Sequence, residues 1–507
     1  MTRIHKFSLL LALSISLIVA SCDSGFEELN INPTQANEID PNFKITEIQL
    51  RVSGERYENW RTNLIYSSTM IQHLAALPGY WSGDKYFYNP GYSAAMWDRY
   101  YPNISRNLED LLVQTAADPE MVNMHHITNI VAVIKYHRLT DLYGDIPYSE
   151  AGKGFTEGIS QPMYDPQSEI YADMLDRLEA AANGLSSNFD SFGSGDLVYG
   201  GNIEKWRKFA NSLMLRLAMR LVKVDPGNAE AWVRKAIAAG TMESNEDIAY
   251  VPHNDPSGWK NGNGQVFTSD GNMRMSAFFV DWMVNHQDPR LYVYGQSPVG
   301  GSTPVGLPNG FTTGGTDPVH GIENHSSWVD CDSGAEPCGL DVYMVPNDNV
   351  KGENDPMFFM TYAEVELLKA EAVVRGWHTG DAATHYANGV RAAMEYLAMY
   401  GGSAISSEDI DAYLAANPYN PSEGMRMINE QIWAAVFLNE YEAYANWRRT
   451  GYPELTPVNY PGNVTGGTIP RRLRYTQSEA VANPENYSAA VSRQGPDELT
   501  TRIWWDK

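Results

Sequence analysis

Trp206-Arg207-Lys208-Phe209-Ala210-Asn211-Ser212-Leu213-Met214-Leu215-Arg216-Leu217-Ala218-Met219-Arg220-Leu221-Val222-Lys223 is the stretch on which the fold turns. Trp206, Phe209, Ala210, Leu213, Leu217 and Leu221 recur at spacings of three and four, while Arg207, Lys208, Arg216, Arg220 and Lys223 occupy other faces. A half-buried strand would alternate with period two, so this spacing predicts an amphipathic helix. The same pattern extends on both sides. Ile170, Met174, Leu178 and Ala181 form a second stripe, with Asp165-Pro166 and Ser168 as its start signal. Tyr362, Val365, Leu368 and Ala372 form a third, with Glu371 and Arg375 at i,i+4, and Ile428, Ile432, Ala435 and Val436 open a fourth. Residues 359–376 and 382–399 are expected to pair as antiparallel helices across the Gly376 to Gly380 turn. An all-α body follows. No repeat consensus recurs at fixed period, so periodicity alone does not establish a solenoid.

Towards the N-terminus the helical body gives way to a processing signal over residues 1–21. Arg3, His5 and Lys6 supply a basic start, and the uncharged run Phe7 to Ala20 is shorter than the roughly 20 residues that span a bilayer. It ends in Val19-Ala20-Ser21-Cys22, which resembles the lipobox of bacterial lipoproteins; Cys22 is expected to carry the lipid and to become the mature N-terminus. Two or more acyl chains anchor stably where one does not. Residues 22–43 contain acidic residues, Pro33 and Pro41 but no Lys or Arg up to Phe43, and read as an acidic tether holding the body, residues 44–507, off the membrane.

The whole chain carries a net charge of −25, a field that repels phosphate backbones and argues against nucleic acid as a partner. With Cys22 lipidated, Cys331 and Cys338 are left as an even pair around Gly334 and Pro337, expected outside the cytoplasm to form a local disulfide. Chemistry-bearing signatures are missing: there is no His-Glu-x-x-His, Gly-x-Ser-x-Gly, Walker loop or Gly-x-Gly-x-x-Gly. Adjacent His125 and His126 would point about 100° apart on a helix, a poor chelate. Asp330-Cys331-Asp332 lacks EF-hand spacing for calcium. Neither a cofactor nor a metal is expected. Carboxylates are so abundant that some pair will always resemble a glycosidase dyad, which therefore discriminates nothing.

Two regions break the helical pattern. Residues 78–104 are aromatic and turn-rich, and residues 251–350 are loop-like, dense in Gly, Pro, Asn and Asp. Long loops in a compact protein usually carry function. Tyr and Trp rings offer a flat apolar face on which the axial C–H bonds of a sugar can stack, while neighbouring Asp, Asn and Arg fix orientation through hydroxyl groups. Tyr80, Trp81, Asp84, Tyr86, Tyr88, Trp259, Asn261 and Arg274 are therefore the candidate ligand-binding residues. Trp81, followed by Ser82-Gly83-Asp84, and Trp259, between Gly258 and Lys260-Asn261-Gly262, are expected to be exposed and near each other. The block Tyr86-Phe87-Tyr88 suits a core as well as a platform.

Several motifs in order resemble the SusD/RagB outer-membrane lipoproteins of Bacteroidetes, in particular the divergent SusD-like branch. They begin at Cys22 with Phe26-Glu27-Glu28-Leu29-Asn30 and Asn32-Pro33. They continue through Asp141-Leu142-Tyr143-Gly144-Asp145-Ile146-Pro147-Tyr148, Tyr164-Asp165-Pro166-Gln167, the Trp206 to Leu213 segment and Asp288-Pro289-Arg290-Leu291. The last are Thr361-Tyr362-Ala363-Glu364-Val365 and Glu440 through Gly451. The resemblance implies tetratricopeptide-like helix pairs decorated by long loops, on the cell surface. It also implies a partner, a TonB-dependent transporter of the SusC type, to which such proteins deliver oligosaccharides or, in some members, peptides. It implies binding without catalysis; a helical surface glycosidase is the contrasting possibility. Asp141 to Tyr148 and Glu440 to Gly451 read as architecture: Gly144 permits a turn that Pro147 prevents from continuing as helix, and the second motif suits a buried ionic and aromatic lock.

Overall fold

A computed structural model describes residues 39–254, 258–300, 303–314 and 317–507. The leader, Cys22 and most of the expected tether lie outside the described residues. The tether's last residues do not: Pro41 to Phe43 already belong to helix α1 (Pro41–Ser53), whose N-cap Asp40 accepts a hydrogen bond from Asn42 N at 2.8 Å. An Asp followed by Pro at the first helical position is a start signal, and it outweighs the acidic, Pro-containing composition.

The chain is mostly helical. Helices α2 (Tyr101–Ala117), α3 (Val122–Tyr143), α4 (Gln167–Gly184), α5 (Ile203–Arg220) and α6 (Pro226–Ala238) follow α1, each packed against its predecessor. After α7 (Gly262–Ser269) and α8 (Ala277–Asn285) come α9 (Tyr362–Val374), α10 (Ala382–Glu395), α11 (Ser407–Ala416), α12 (Gly424–Ala435), α13 (Glu440–Thr450) and α14 (Pro484–Gln494). The serial packing is the helix-pair arrangement the family resemblance implied. The α9–α10 pair forms across the Gly376 turn, and α9 also packs on α12 and α5. Strands are short and occur in antiparallel pairs, such as Leu74–Ala76 with Met273–Met275.

One continuous apolar core runs from Ile45 to Trp505, and a smaller cluster with Leu307, Ile322 and Tyr343 lies at the disulfide region. The 251–350 segment is not all loop: α7 and α8 bury Val266, Phe267, Phe279, Val280 and Met283. Asn261 starts α7 by accepting from Asn263 N and Gly264 N, so a loop-like composition conceals a capped helix. Cys331 and Cys338 are joined as expected.

The stripe on α5 is correct, and its other faces divide: Arg207 and Lys208 stay part-exposed, whereas Arg216 and Arg220 do not reach solvent. Arg216 and Arg220 are buried, the first held by Glu364 at 2.6 Å and the second by Glu442 at 2.6 and 2.7 Å. From Phe209 to Arg220 neighbours enclose the helix on every face, so charges there must be satisfied inside. Glu371 likewise serves two cations, Arg375 on its own helix and Arg449 on α13. The Glu440 to Gly451 motif is thus the ionic lock the sequence suggested. Gly144, with φ of +86°, ends α3 where a Cβ would collide with the Gln494 side chain. Among the described residues no helix is long and apolar enough to cross a membrane.

Candidate ligand-binding site

The site is built where α1 ends. Gly54, with φ of +101°, lets the chain turn, and a capping box between Glu55 and Glu58 starts the next turn, which passes into a π-helical stretch, Asn59–Ser68. Tyr57, Trp60 and Arg61 share one face at spacings of three and four. All three are part-exposed. The Arg61 guanidinium carbon lies 3.9 Å from the Tyr57 ring centre and 5.0 Å from that of Trp60. Arg99, from the neighbouring Met96–Tyr100 turn, lies 4.0 Å from the Tyr57 ring centre, and Arg56 lies 5.4 Å from that of Trp60. Gly258, Trp259, Lys260 and Gln265 complete an open groove of about 620 Å³. Arg51 stacks on Trp259 at 5.6 Å.

Beside the groove, one carboxylate sets three aromatic residues. Asp270 Oδ2 accepts from the Trp60 indole N–H at 3.1 Å, the Trp81 indole N–H at 3.0 Å and the Tyr80 hydroxyl at 3.1 Å. Asn272 Nδ2 donates to Asp270 Oδ1 at 2.8 Å and to the Tyr80 oxygen at 2.7 Å. Burial pushes the Asp270 carboxyl up, but the donors from Asn272, Trp81 and Tyr80 outweigh it and hold it below the usual carboxylate range. Trp60 and Tyr80 meet edge to face at 6.3 Å, a favourable aromatic geometry. Tyr80 remains 39 % exposed, and Tyr92, whose ring centre is 6.0 Å from Arg61, is partly buried. The surface therefore runs from Trp259 through Tyr57 and Trp60 to Tyr92 and Tyr80. Trp60 and Tyr80 are held by Asp270, and the rim carries the N–H donors of Arg56, Arg61 and Arg99.

Beneath it, the Glu58 carboxylate is enclosed. Its Oε1 accepts from Glu55 N at 2.6 Å, while Oε2 has no hydrogen-bond partner among the described residues. Burial pushes this carboxyl up to about 7.

The expected residues fall into two groups. Tyr80 and Trp259 lie on this surface. Trp81 does not: it is 0 % exposed, so the expected platform of Trp81 and Trp259 does not form, and the ring that lines the groove with Trp259 is Tyr57, with Trp60 beside it under Arg61. Asp84 is buried, paired with Lys85 at 3.1 Å and accepting from Gly310 N at 3.0 Å, so it pins two loops together. Tyr86 is buried with its hydroxyl accepting from Val458 N. Asn261 caps α7. Arg274 is buried, donating to the carbonyls of Gly271, Met273 and Leu340. Tyr88 sits apart from the groove, with Arg474 stacked 4.2 Å from its ring centre. Buried polar groups are spent on their partners, which takes Asp84, Tyr86, Asn261 and Arg274 out of reach of a ligand. Sequence reading missed Tyr57, Trp60, Arg61 and Asp270. The available signal was the density of rings and guanidiniums in Arg56-Tyr57-Glu58-Asn59-Trp60-Arg61. Among the described residues no group of three His, Cys, Asp or Glu could hold a metal ion.

Comparison with known proteins places this architecture. The SusD-like family model described as "starch-binding associating with outer membrane" matches residues 33–476. Among solved structures, a chitin-binding protein is 33 % identical, with a TM-score of 0.82 over 92 % of this chain and 100 % of its own. A Bacteroidetes AC2a SusD-like structure is 26 % identical, with a TM-score of 0.80 over 92 % of this chain and 100 % of its own. A chitin-binding SusD homologue from Flavobacterium johnsoniae is 25 % identical, with a TM-score of 0.77 over 92 % of this chain and 98 % of its own. No curated protein matches the sequence. With a family match over most of its length and an all-α body of serially packed helices to go with it, the chain belongs to the SusD-like family.

Proposed function

We propose that this protein captures an oligosaccharide on the surface formed by Tyr57, Trp60, Tyr80, Tyr92 and Trp259. It would hand the glycan to a TonB-dependent transporter of the SusC type, while lipidated Cys22 holds the body at the outer membrane and cell surface. The observation that carries this is the Asp270 hub, which holds Trp60 and Tyr80 in fixed geometry while leaving Tyr80 exposed and Trp60 part-exposed. Rigid rings lose little entropy on binding. The family description and the chitin-binding relatives make oligosaccharides containing N-acetylglucosamine the first ligands to try. Of the residues expected from sequence, Tyr80 and Trp259 would touch the ligand; Trp81 would act through Asp270.

Binding, not turnover, is the role. The test is affinity electrophoresis and calorimetry on a polysaccharide panel, with product release measured in parallel. Retention by at least one glycan, lost in Trp60→Ala, supports the reading; release of products abolished by a single carboxylate substitution overturns it. Mass spectrometry of the membrane-extracted protein tests acylation at Cys22, and co-purification from the native membrane tests the transporter.

A further inference from the structure

Arginines at this protein's surface are usually paired. Arg177 meets Asp173 at 3.1 Å, Arg234 meets Glu230 at 2.7 Å and Arg426 meets Glu423 at 2.8 Å, as expected in a chain with 62 Asp and Glu against 37 Lys and Arg. The groove departs from that pattern. Among the described residues, no carboxylate oxygen lies within 4.0 Å of the guanidinium nitrogens of Arg56, Arg61 or Arg99. The one groove carboxylate, Glu55, is engaged by Arg51 at 3.3 Å, and Lys260 is held by Glu353 at 2.5 Å. Arg61 spends a single N–H on the Tyr57 carbonyl and Arg56 donates to the Ser269 hydroxyl.

We infer that the groove takes an anionic substituent, a carboxylate or sulfate borne by the captured glycan. This inference rests on the oligosaccharide-binding reading above. The Arg61 and Arg99 guanidinium carbons lie 3.9 and 4.0 Å from the Tyr57 ring centre, a cation–π distance that holds both groups in place while most of their N–H donors have no acceptor among the described residues. A guanidinium so held presents its fork without losing rotamer freedom at the moment of binding, and charge-assisted hydrogen bonds are about twice as strong as neutral ones. The surrounding charge sharpens the choice. A cationic groove in a chain of net charge −25 is a local reversal of sign, which neutral ligands do not require and which an acidic one needs to approach at all.

The test uses three hexasaccharide probes with the intact protein, the first two matched in backbone. One is a hyaluronan hexasaccharide, whose glucuronates alternate with N-acetylglucosamine. The second is the same molecule with its carboxyls reduced to alcohols. The third is a chondroitin sulfate hexasaccharide. Chitohexaose serves as the neutral reference for the aromatic platform. Calorimetry is expected to show one of the acidic probes binding about 10- to 100-fold tighter than its neutral counterpart, and that advantage shrinking as salt rises. Because chondroitin sulfate also carries glucuronates, a gain shown by hyaluronan over its carboxyl-reduced form identifies the carboxylate, and a gain confined to chondroitin sulfate identifies the sulfate. Arg61→Gln and Arg99→Gln should each remove about tenfold of the acidic affinity and weaken chitohexaose by a clearly smaller factor, with Arg61→Lys restoring part of the acidic loss. Neutral probes that bind as tightly as both acidic ones would overturn the inference while leaving the oligosaccharide reading intact. Failure of every probe, chitohexaose included, would overturn that reading and this inference together.

Discussion

Arg216, Arg220 and Arg449 are enclosed and each grips a carboxylate, whereas Arg56, Arg61 and Arg99 lie at the surface and have none. Both groups stand beside aromatic rings, Arg220 5.7 Å from the ring centre of Trp505 and Arg61 3.9 Å from that of Tyr57. What separates them is where the counter-charge comes from. In the core, Asp141, Glu364, Glu371 and Glu442 come from α3, α9 and α13, so each ion pair ties helices distant in sequence. At the groove no carboxylate comes within ion-pair distance of Arg56, Arg61 or Arg99 among the described residues; Arg56 and Arg61 hold ring faces and neutral acceptors, and Arg99 has the Tyr57 ring and the enclosed Glu58 nearby. A buried charge left unpaired is expensive, while a solvated one costs little, so only the surface group can wait for a ligand.

Breaking the closed group should produce the largest effect. Arg449 donates to both Glu371 oxygens at 2.5 and 2.7 Å. Arg449→Met would leave the buried Glu371 with Arg375 as its one remaining cation and is expected to cost about 3 kcal/mol in urea unfolding, the lower end for a broken buried pair. Glu371→Met combined with Arg449→Met should recover part of it, because the under-compensated buried charge is gone and Arg375, left without Glu371, is part-exposed. A single substitution costing under about 1 kcal/mol would place this pair with the weak surface ones.

The open group should respond in binding, not in stability. Trp60→Ala and Tyr80→Ala are each expected to lose about 2 kcal/mol of affinity for a captured glycan, the scale of an interface hot spot. Their melting temperatures should fall far less than that of Arg449→Met. An equal fall in both quantities would make the rings core residues.

Two carboxylates divide the groups by pH. Burial pushes Glu371 up, but Arg449 and Arg375 outweigh it and bring it down to about 2, below its ordinary 4.5. Its folded form therefore holds fewer protons than the unfolded one, and its contribution is lost as pH falls from 4.5 towards 2. Glu58 runs the other way. Pushed up to about 7, it holds protons the unfolded chain has released, so its stability contribution falls as pH rises from 4.5 through 7. Glu58→Gln should thus stabilise by about 1–3 kcal/mol near pH 8 and by almost nothing near pH 4, read from denaturation at both. The smallest effect belongs to Tyr292→Ala, an exposed ring 65 % accessible and outside the groove's lining, which should change neither stability nor binding beyond about 0.5 kcal/mol.

Much of the fold was legible because helix periodicity is local. The Trp206 to Leu221 stripe, the turn at Gly376, the exit at Gly144 and the Cys331–Cys338 pair all read directly from neighbouring residues. The site was half legible. Trp81 was expected in the open because Gly83 follows it, yet that glycine marks contact: a Cβ there would sit 2.1 Å from the Ile65 carbonyl. Gly262 misleads about Asn261 in the same way, with a Cβ 2.3 Å from the Asn59 side chain. A glycine permits a turn or a close approach, and sequence does not say which. Trp60 escaped notice for the opposite reason, since a ring within a helical stretch reads as core. Only the tertiary arrival of Asp270, about two hundred residues later, fixes its indole at the surface.

The most direct test is calorimetric titration of the tightest-binding oligosaccharide from the panel into wild-type protein, Trp60→Ala and Tyr292→Ala. Affinity about tenfold or more weaker in Trp60→Ala, with Tyr292→Ala unchanged, is the predicted outcome. Wild-type affinity in Trp60→Ala would contradict it and place the ligand on another face of the protein.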